Sequence, residues 1–375
     1  MRMRFEKYPF EKLNELLKDI EPNSHYKPLV LTIGEPQFET PEFIVRELEK
    51  NAHLINKYPK TAGLDELREA VLGFVKRRFD ISLESSELLL TFGTREVLFN
   101  FPHYLLHGKD NPAMAFTNPF YQIYEGAAIA AGARIKYLNL TKENGFKPQI
   151  DSSLKDVDLV IINSPNNPTA SVMEMEELKE WARAALEYDF VLLNDECYSE
   201  IYTSSPPPSL LEASAQLGNE EFKNILVVNS ISKRSSAPGL RSGFIAGDKE
   251  ILSGYSRYRT YVGCASPLPL QYAAAVAWED EEHVVKNRDI YRKNLKMAHE
   301  ILGVDIPKAT FYLWLEVGDD IEFTKRAYKE YNLKVLPGSY LGREGVGNGY
   351  VRAALVYDEK KTKEALERLR ELIRS

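Results

Sequence analysis

Cysteine is scarce in this chain. Only Cys197 and Cys264 occur among 375 residues, far apart and with no histidine or second cysteine at metal-ligand spacing. That excludes a disulfide framework and a zinc site, and it suits a reducing cytoplasm. The six histidines show no paired spacing either, so no metal is expected. No apolar run approaches the roughly 20 residues that cross a bilayer, so no membrane partner is expected. The N-terminal stretch MRMRFEKYPFEKL starts basic but has no apolar segment behind it, which argues against a signal peptide. Basic blocks and basic helix faces are missing and the net charge is −7, so no nucleic-acid partner is expected. There is no GxSxG elbow, no P-loop and no internal repeat.

What remains is the composition of a soluble globular protein, with 44% hydrophobic and 27% charged residues. A chain this long exceeds one ordinary core, so two domains, or one large domain with an appended lobe, are expected. Residues 11–18 read as a short amphipathic helix, and Pro22, Pro28, Pro36 and Pro41 then punctuate an extended segment. Leu64, Leu67, Val71, Phe74 and Val75 share one helix face. The middle of the chain alternates short apolar runs with helical patterns: LVII (159–162), FVLL (190–193), ILVV (225–228) and GFIAG (243–247). Ser171 with Glu174 reads as a capping box ahead of Leu178, Trp181, Ala182, Ala185 and Leu186. Continuous apolar runs separated by helices indicate strands buried on both faces of a largely parallel sheet. A long helical stretch at 268–302, the strand-like FYLWLEV (311–317) and VRAALV (351–356), and a last helix with Leu366, Leu369 and Ile373 on one face indicate a smaller lobe.

In open α/β sheets, ligands bind beyond the carboxyl ends of the strands. LVII leads into Asn163 and then Asn167, FVLL into Asp195 and Tyr198, and ILVV into Ser230, Ser232 and Lys233. These groups suit pyridoxal 5'-phosphate (PLP). The cofactor needs a lysine for an imine, an acid for its ring nitrogen, donors for its phenolic oxygen and a cationic, hydroxyl-rich cradle for its phosphate. Lys233 answers the first need, Asp195 the second, Asn167 and Tyr198 the third, and Ser230, Ser232 and Arg241 the fourth. Gly93, Thr94 and Arg95, between the run LLL (88–90) and a helical pattern, add backbone N–H groups at a helix N-terminus. Cys197, between two of these residues, reads as a small buried filler.

The run SISKRSSAPGLRSG (230–243) resembles the lysine signature of class I aminotransferases, with Arg241 eight residues after Lys233. NNPT (166–169), DECY (195–198), IGEP (33–36), YPKTAGLDELR (58–68), NPFY (118–121) and VRAALV (351–356) follow the same family's order. Ala170 departs from it, standing where a glycine usually ends the NPTG turn; a negative φ would accommodate it. The resemblance implies the PLP-dependent transferase fold type I. This is an α/β architecture with a mostly parallel seven-stranded sheet in a large domain over residues 46–285, and a smaller α/β domain built from 1–45 and 286–375. It also implies a homodimer with shared active sites. Tyr121 would stack on the cofactor ring, Tyr58 would reach the neighbouring subunit's phosphate, and Arg352 would grip the substrate α-carboxylate, with Gly34 and Asn167 beside it. Lys233 would serve as covalent anchor and as general acid/base, and Asp195 would hold the ring nitrogen.

Further blocks, among them GTREVLFNFP, PPPSLLEASAQLG and VLPGSYLGRE, are similar to N-succinyldiaminopimelate aminotransferases. They imply N-succinyl-LL-2,6-diaminopimelate as amino donor and 2-oxoglutarate as acceptor. The distal carboxylate of such a substrate needs another cation or donor cluster, for which Arg95, Arg257, Arg259 and Tyr261 are the candidates, Arg259 foremost. A general aspartate, aromatic or branched-chain aminotransferase and a PLP-dependent β-lyase remain open alternatives. A PLP-binding regulator is a third, although this acidic chain has no residues to spare for a DNA-binding module.

Overall fold

The apolar runs form the middle of a seven-stranded sheet. The computed structural model describes residues 4–375; the first three residues of the basic N-terminal stretch lie outside the described residues. The strands are β1 (Leu88–Thr91), β2 (Ala113–Asn118), β3 (Arg134–Asn139), β4 (Leu159–Asn163), β5 (Val191–Asp195), β6 (Ile225–Ser230) and β7 (Gly243–Gly247). Their spatial order is β1-β7-β6-β5-β4-β2-β3. All neighbours are parallel except those of β7, which runs antiparallel to both β6 and β1. β2, β4, β5, β6 and β7 are buried along their whole length, which is why they read as unbroken apolar runs. β3 at the edge is half exposed and carries Arg134 and Lys136, so no apolar run marks it.

Helices cover both faces. Helix Asp65–Phe79 turns Leu67, Val71, Phe74 and Val75 inward, as the periodicity predicts. Three local expectations are corrected. The capping box belongs to Glu174 and Glu177, and the helix starts at Met175; the Ser171 hydroxyl instead donates to the carbonyl of Phe146. Leu186 lies off the buried face of that helix and is exposed. The stretch 268–302 is two helices, Leu268–Glu279 and Glu282–Leu302, broken where Asp280 turns extended (φ −83°, ψ 129°); its carboxylate accepts from the backbone N–H of His283 at 2.9 Å.

The remaining elements pack around a separate apolar cluster that includes Leu313, Val351, Leu366 and Leu369. Strand Tyr350–Ala354 pairs antiparallel with Tyr312–Glu316 and with Leu336–Pro337, and Leu29–Val30 pairs parallel with Leu333–Lys334. In the last helix Leu372 is buried and Ile373 is exposed, a one-residue shift from the predicted face. Helix Pro9–Leu17 buries Leu13 and Leu17 against Leu336 and Leu341. Among the described residues, no helix is long and apolar enough to cross a membrane.

Candidate active site

The carboxyl ends of β4, β5 and β6 open into a cavity of about 750 Å³. Its wall includes Asn163, Asn167, Asp195, Tyr198, Ser230, Ser232, Lys233 and Arg241, closed by Gly34, Tyr312 and Arg352 from the opposite side. Thr94, Arg95 and Tyr121 line it as well. The sequence-predicted residues therefore converge, with five exceptions: Tyr58, Gly93, and Arg259 with its helix neighbours Arg257 and Tyr261. Tyr58 is fully exposed (101%) and does not line this cavity. Gly93 sits behind the wall at φ 72°, and a Cβ on it would fall 2.2 Å from an Arg241 Nη, so only glycine lets the arginine approach that turn.

Arg259 is the third exception: it does not line the cavity of its own chain and is paired with an acid instead. Its guanidinium is 2% exposed and engages both oxygens of Glu96, through Nε at 3.1 Å and Nη2 at 3.0 Å. A buried arginine already satisfied by its own carboxylate has no charge to offer a ligand. Arg257 and Tyr261, on the same helix Lys249–Val262, are exposed and do not line the cavity.

Lys233 sits in the single helical turn Ile231–Arg234 that follows β6, and its ammonium donates to the carbonyl of Gly34. Burial pushes its pKa down to about 8, Arg352 and Arg241 adding to the effect and Glu35 opposing it. Asp195 ends β5 and is buried. Its Oδ2 accepts from the Tyr124 hydroxyl at 2.8 Å and its Oδ1 from the Cys197 backbone N–H at 3.2 Å. Burial holds its carboxyl above the usual carboxylate range, with the bonds from Cys197 and Tyr124 opposing. Among the described residues it has no cationic partner.

The loop after β4 is built by its own side chains. Asn163 Oδ1 accepts the Asn167 N–H at 2.7 Å, and Asn166 Oδ1 accepts both the N–H and the hydroxyl of Thr169. The chain then passes Ala170 at φ 61°, so the negative φ that would ease an alanine here is not adopted. The left-handed turn is kept with a Cβ present, held by backbone bonds that Ala170 and Ser171 make with Asn166. Asn167 Oδ1 in turn accepts from Arg352 Nη1 at 2.6 Å. Arg352 is 5% exposed and lies over the Tyr312 ring at 4.5 Å; its Nη2 donates to the Thr32 carbonyl and its Nε has no partner. Tyr312 shares a hydrogen bond of 2.9 Å with Tyr198. A Cβ at Gly34 would fall 1.9 Å from the Tyr312 hydroxyl, which is why glycine is needed there.

Sequence reasoning missed Tyr312, Tyr8 and Tyr124. Tyr312 belongs to a strand-like run whose inward positions alternate, a signal that was present. Tyr8 precedes a helix and reaches the cavity only because the N-terminal segment folds back over it. Tyr124 lies three residues beyond Tyr121 on helix Ile123–Ala131 and could be read only as core. Another chain of groups, Ser235, His283 and Asp280, has hydrogen-bond distances of 2.8 and 2.5 Å, but Ser235 is fully buried and none of the three lines the cavity. It ties the lysine turn to the break between two helices.

The cavity fits PLP on two features of its own. Asp195 is a buried carboxylate in the wall with no cation beside it, the partner a pyridinium N–H needs. Lys233, Arg95, Arg241 and Arg352 all line the wall, and among the described residues none is within salt-bridge distance of a carboxylate.

Comparison with known proteins agrees with this geometry. Residues 26–369 match the family described as aminotransferase class I and II. The chain belongs to that family, and it is a PLP-dependent aminotransferase. It is 33% identical to an LL-diaminopimelate aminotransferase from Aquifex aeolicus over 91% of this chain and 90% of that one. It is 32% identical to aromatic-amino-acid aminotransferase 2 from Thermococcus litoralis, over 92% and 91% of the two chains. Among solved structures, an aminotransferase AspB from Helicobacter pylori superposes over the full length of both chains with a TM-score of 0.97 at 50% identity. An aminotransferase from Neisseria meningitidis follows with 0.94 at 40% identity, over 99% and 98% of the two chains.

Proposed function

We propose that this aminotransferase moves an amino group between N-succinyl-LL-2,6-diaminopimelate and 2-oxoglutarate. The observation that carries the reading is the set of four wall cations without carboxylate partners, Lys233, Arg95, Arg241 and Arg352. Arg352 is buried and Arg241 half-buried, so both need anions, and Arg95, exposed at the wall, offers a third positive charge; a cofactor phosphate together with a substrate bearing two carboxylates would supply the partners. The relatives named LL-diaminopimelate aminotransferase act, by those names, on the same carbon skeleton. The sequence blocks quoted above add the succinylated form.

When bound, PLP supplies a carbonyl that takes up the amino group and a ring that accepts the electron pair left on the α-carbon. Lys233 would hold the cofactor and, as a free amine, would move the proton at the α-carbon; an amine with pKa near 8 carries a useful neutral fraction at working pH. Asp195 keeps a proton at the ring nitrogen. Arg352, oriented by Asn167, grips the α-carboxylate, and Arg241 with Ser230, Ser232 and Thr94 holds the phosphate. The Tyr121 hydroxyl accepts from Arg95 Nε at 2.8 Å, so Tyr121, which would border the bound ring, would orient Arg95 toward the distal carboxylate. The reading includes a cytoplasmic homodimer in which Tyr58 and Tyr261, both largely exposed in the single chain, enter the partner's site. It also includes a division of each chain into a large domain at 46–285 and a small one from the remainder.

The test is kcat/KM for N-succinyl-LL-2,6-diaminopimelate against aspartate, phenylalanine and leucine, with 2-oxoglutarate as acceptor. The succinylated dicarboxylate should be preferred. A second reading has its own support: Phe10, Phe92 and Phe99 also line the cavity, and one relative is named for aromatic amino acids. Higher kcat/KM for phenylalanine would select that reading.

A further inference from the structure

We infer that Tyr124 is a positioning residue that acts through Asp195 to keep the proton on the ring nitrogen of the bound cofactor. The inference rests on the role proposed for Asp195 and extends it one residue deeper.

Tyr124 is completely buried and does not line the cavity, so it does not touch the ligand. Its ring is fixed edge-on between Phe116 of β2, at 6.1 Å, and Tyr121, at 5.8 Å. Its hydroxyl has one partner, Asp195 Oδ2 at 2.8 Å. Burial, and then the Asp195 charge, hold the phenol far above its ordinary range, so it stays protonated and donates at every working pH. The other oxygen of Asp195 accepts from the backbone N–H of Cys197 at a longer 3.2 Å, and the Cys197 thiol also supports the carboxylate.

The carboxylate and the pyridine nitrogen facing it share one proton. If it sits on nitrogen, the carboxylate is charged; if it moves to oxygen, both are neutral. A donor to the carboxylate stabilises only the charged form, so the Tyr124 bond favours the proton on nitrogen. A hydrogen bond to a charged group shifts such an equilibrium by about ten- to a hundredfold. Without it, a buried carboxyl whose pKa is already raised takes the proton back, and the ring becomes a poorer electron acceptor. Tyr121, three residues away on the same turn, borders the ring directly, so one segment supplies both the surface beside the ring and the donor behind its acid.

The experiment uses full-length holoenzyme reconstituted with PLP carrying ¹⁵N in the ring. Wild type, Tyr124→Phe, Asp195→Asn and the double variant are compared by the ¹⁵N shift of the ring nitrogen and by kcat and KM. The wild-type nitrogen should be protonated and the Asp195→Asn nitrogen neutral; failure of that pair removes the role of Asp195 and this inference with it. Given that pair, Tyr124→Phe should move the shift toward the neutral value and lower kcat about tenfold, with KM within about threefold. Adding Tyr124→Phe to Asp195→Asn should cost nothing further, because the hydroxyl acts only through the carboxylate. An unchanged ¹⁵N shift in Tyr124→Phe, or additive losses in the double variant, overturns the inference while leaving Asp195 in place. If Tyr124→Phe does not fold, 3-fluorotyrosine at 124 is the substitute. As a stronger donor, it should extend nitrogen protonation to higher pH, and no change in that profile counts against the inference.

Discussion

Two arginines of this chain lie deep in the protein and are of opposite kinds. Arg352 is buried beside Lys233 with no carboxylate partner and one unsatisfied nitrogen, whereas Arg259 is buried against Glu96 with both carboxylate oxygens engaged. In sequence both are arginines in otherwise apolar or aromatic surroundings. The difference is the fourth residue of a distant motif, Glu96, which claims Arg259 from helix Thr94–Leu106. A buried cation that has its own acid belongs to the scaffold, and one that lacks it belongs to a ligand. The same distinction separates the strand-end wall, where Lys233 and Asp195 face the cavity, from helix Lys249–Val262, whose polar groups are paired or exposed.

The comparison can be broken first at the wall. Lys233→Ala should lower multiple turnover by about 10⁴-fold, the upper range for a positioned acid–base group, and remove the visible absorbance of the attached cofactor. Borohydride reduction and peptide mapping of the wild type should place the pyridoxyl group on Lys233; a different lysine would contradict the assignment. Asp195→Asn should leave cofactor bound and lower kcat by about a hundredfold or more, with Asp195→Glu milder. Near-normal turnover of the Asn variant would refute its role.

A smaller effect sharpens the wall's electrostatics. Because burial depresses the Lys233 pKa to about 8, its neutral, nucleophilic amine gains population as pH rises through 8 and not through the ordinary lysine range. The rate at which apoenzyme takes up PLP, followed by stopped-flow absorbance, should rise about tenfold per pH unit below that value and level off above it. A rate still climbing steeply past pH 9.5 would mean a solvated lysine.

The proposed subunit boundary gives the smallest effect. Lys233→Ala chains mixed with Tyr58→Phe chains should form hybrids with one site carrying both lesions and one carrying neither. Activity after subunit exchange should exceed the average of the parents. Simple averaging despite proven exchange would argue against a shared site.

The strand-end part of the wall (Asn167, Asp195, Tyr198, Ser230, Ser232 and Lys233) was legible in the sequence because those residues follow apolar runs, and such runs are what a doubly covered strand requires; Tyr8 and Tyr312, which reach the wall from other elements, were missed. β3 was not legible, since an edge strand with Arg134 and Lys136 carries no such run. The pairing of Arg259 was hidden for a different reason. It depends on a contact between two helices 163 positions apart in sequence, which no local pattern encodes. Ala170 shows a third limit: residue type favours a negative φ, but backbone bonds that Ala170 and Ser171 make with Asn166 hold the turn left-handed.

The most direct measurement exchanges the two arginines' environments for neutral ones. Arg352→Met is compared with the double variant Arg259→Met/Glu96→Gln, which removes both members of the internal pair and leaves no stranded charge. Arg352→Met should lower kcat/KM for every amino donor by about ten- to a hundredfold with the fold intact. The double variant should keep KM for N-succinyl-LL-2,6-diaminopimelate within about twofold while changing the melting temperature. A selective loss of that substrate in the double variant, with Arg352→Met unaffected, would contradict the account.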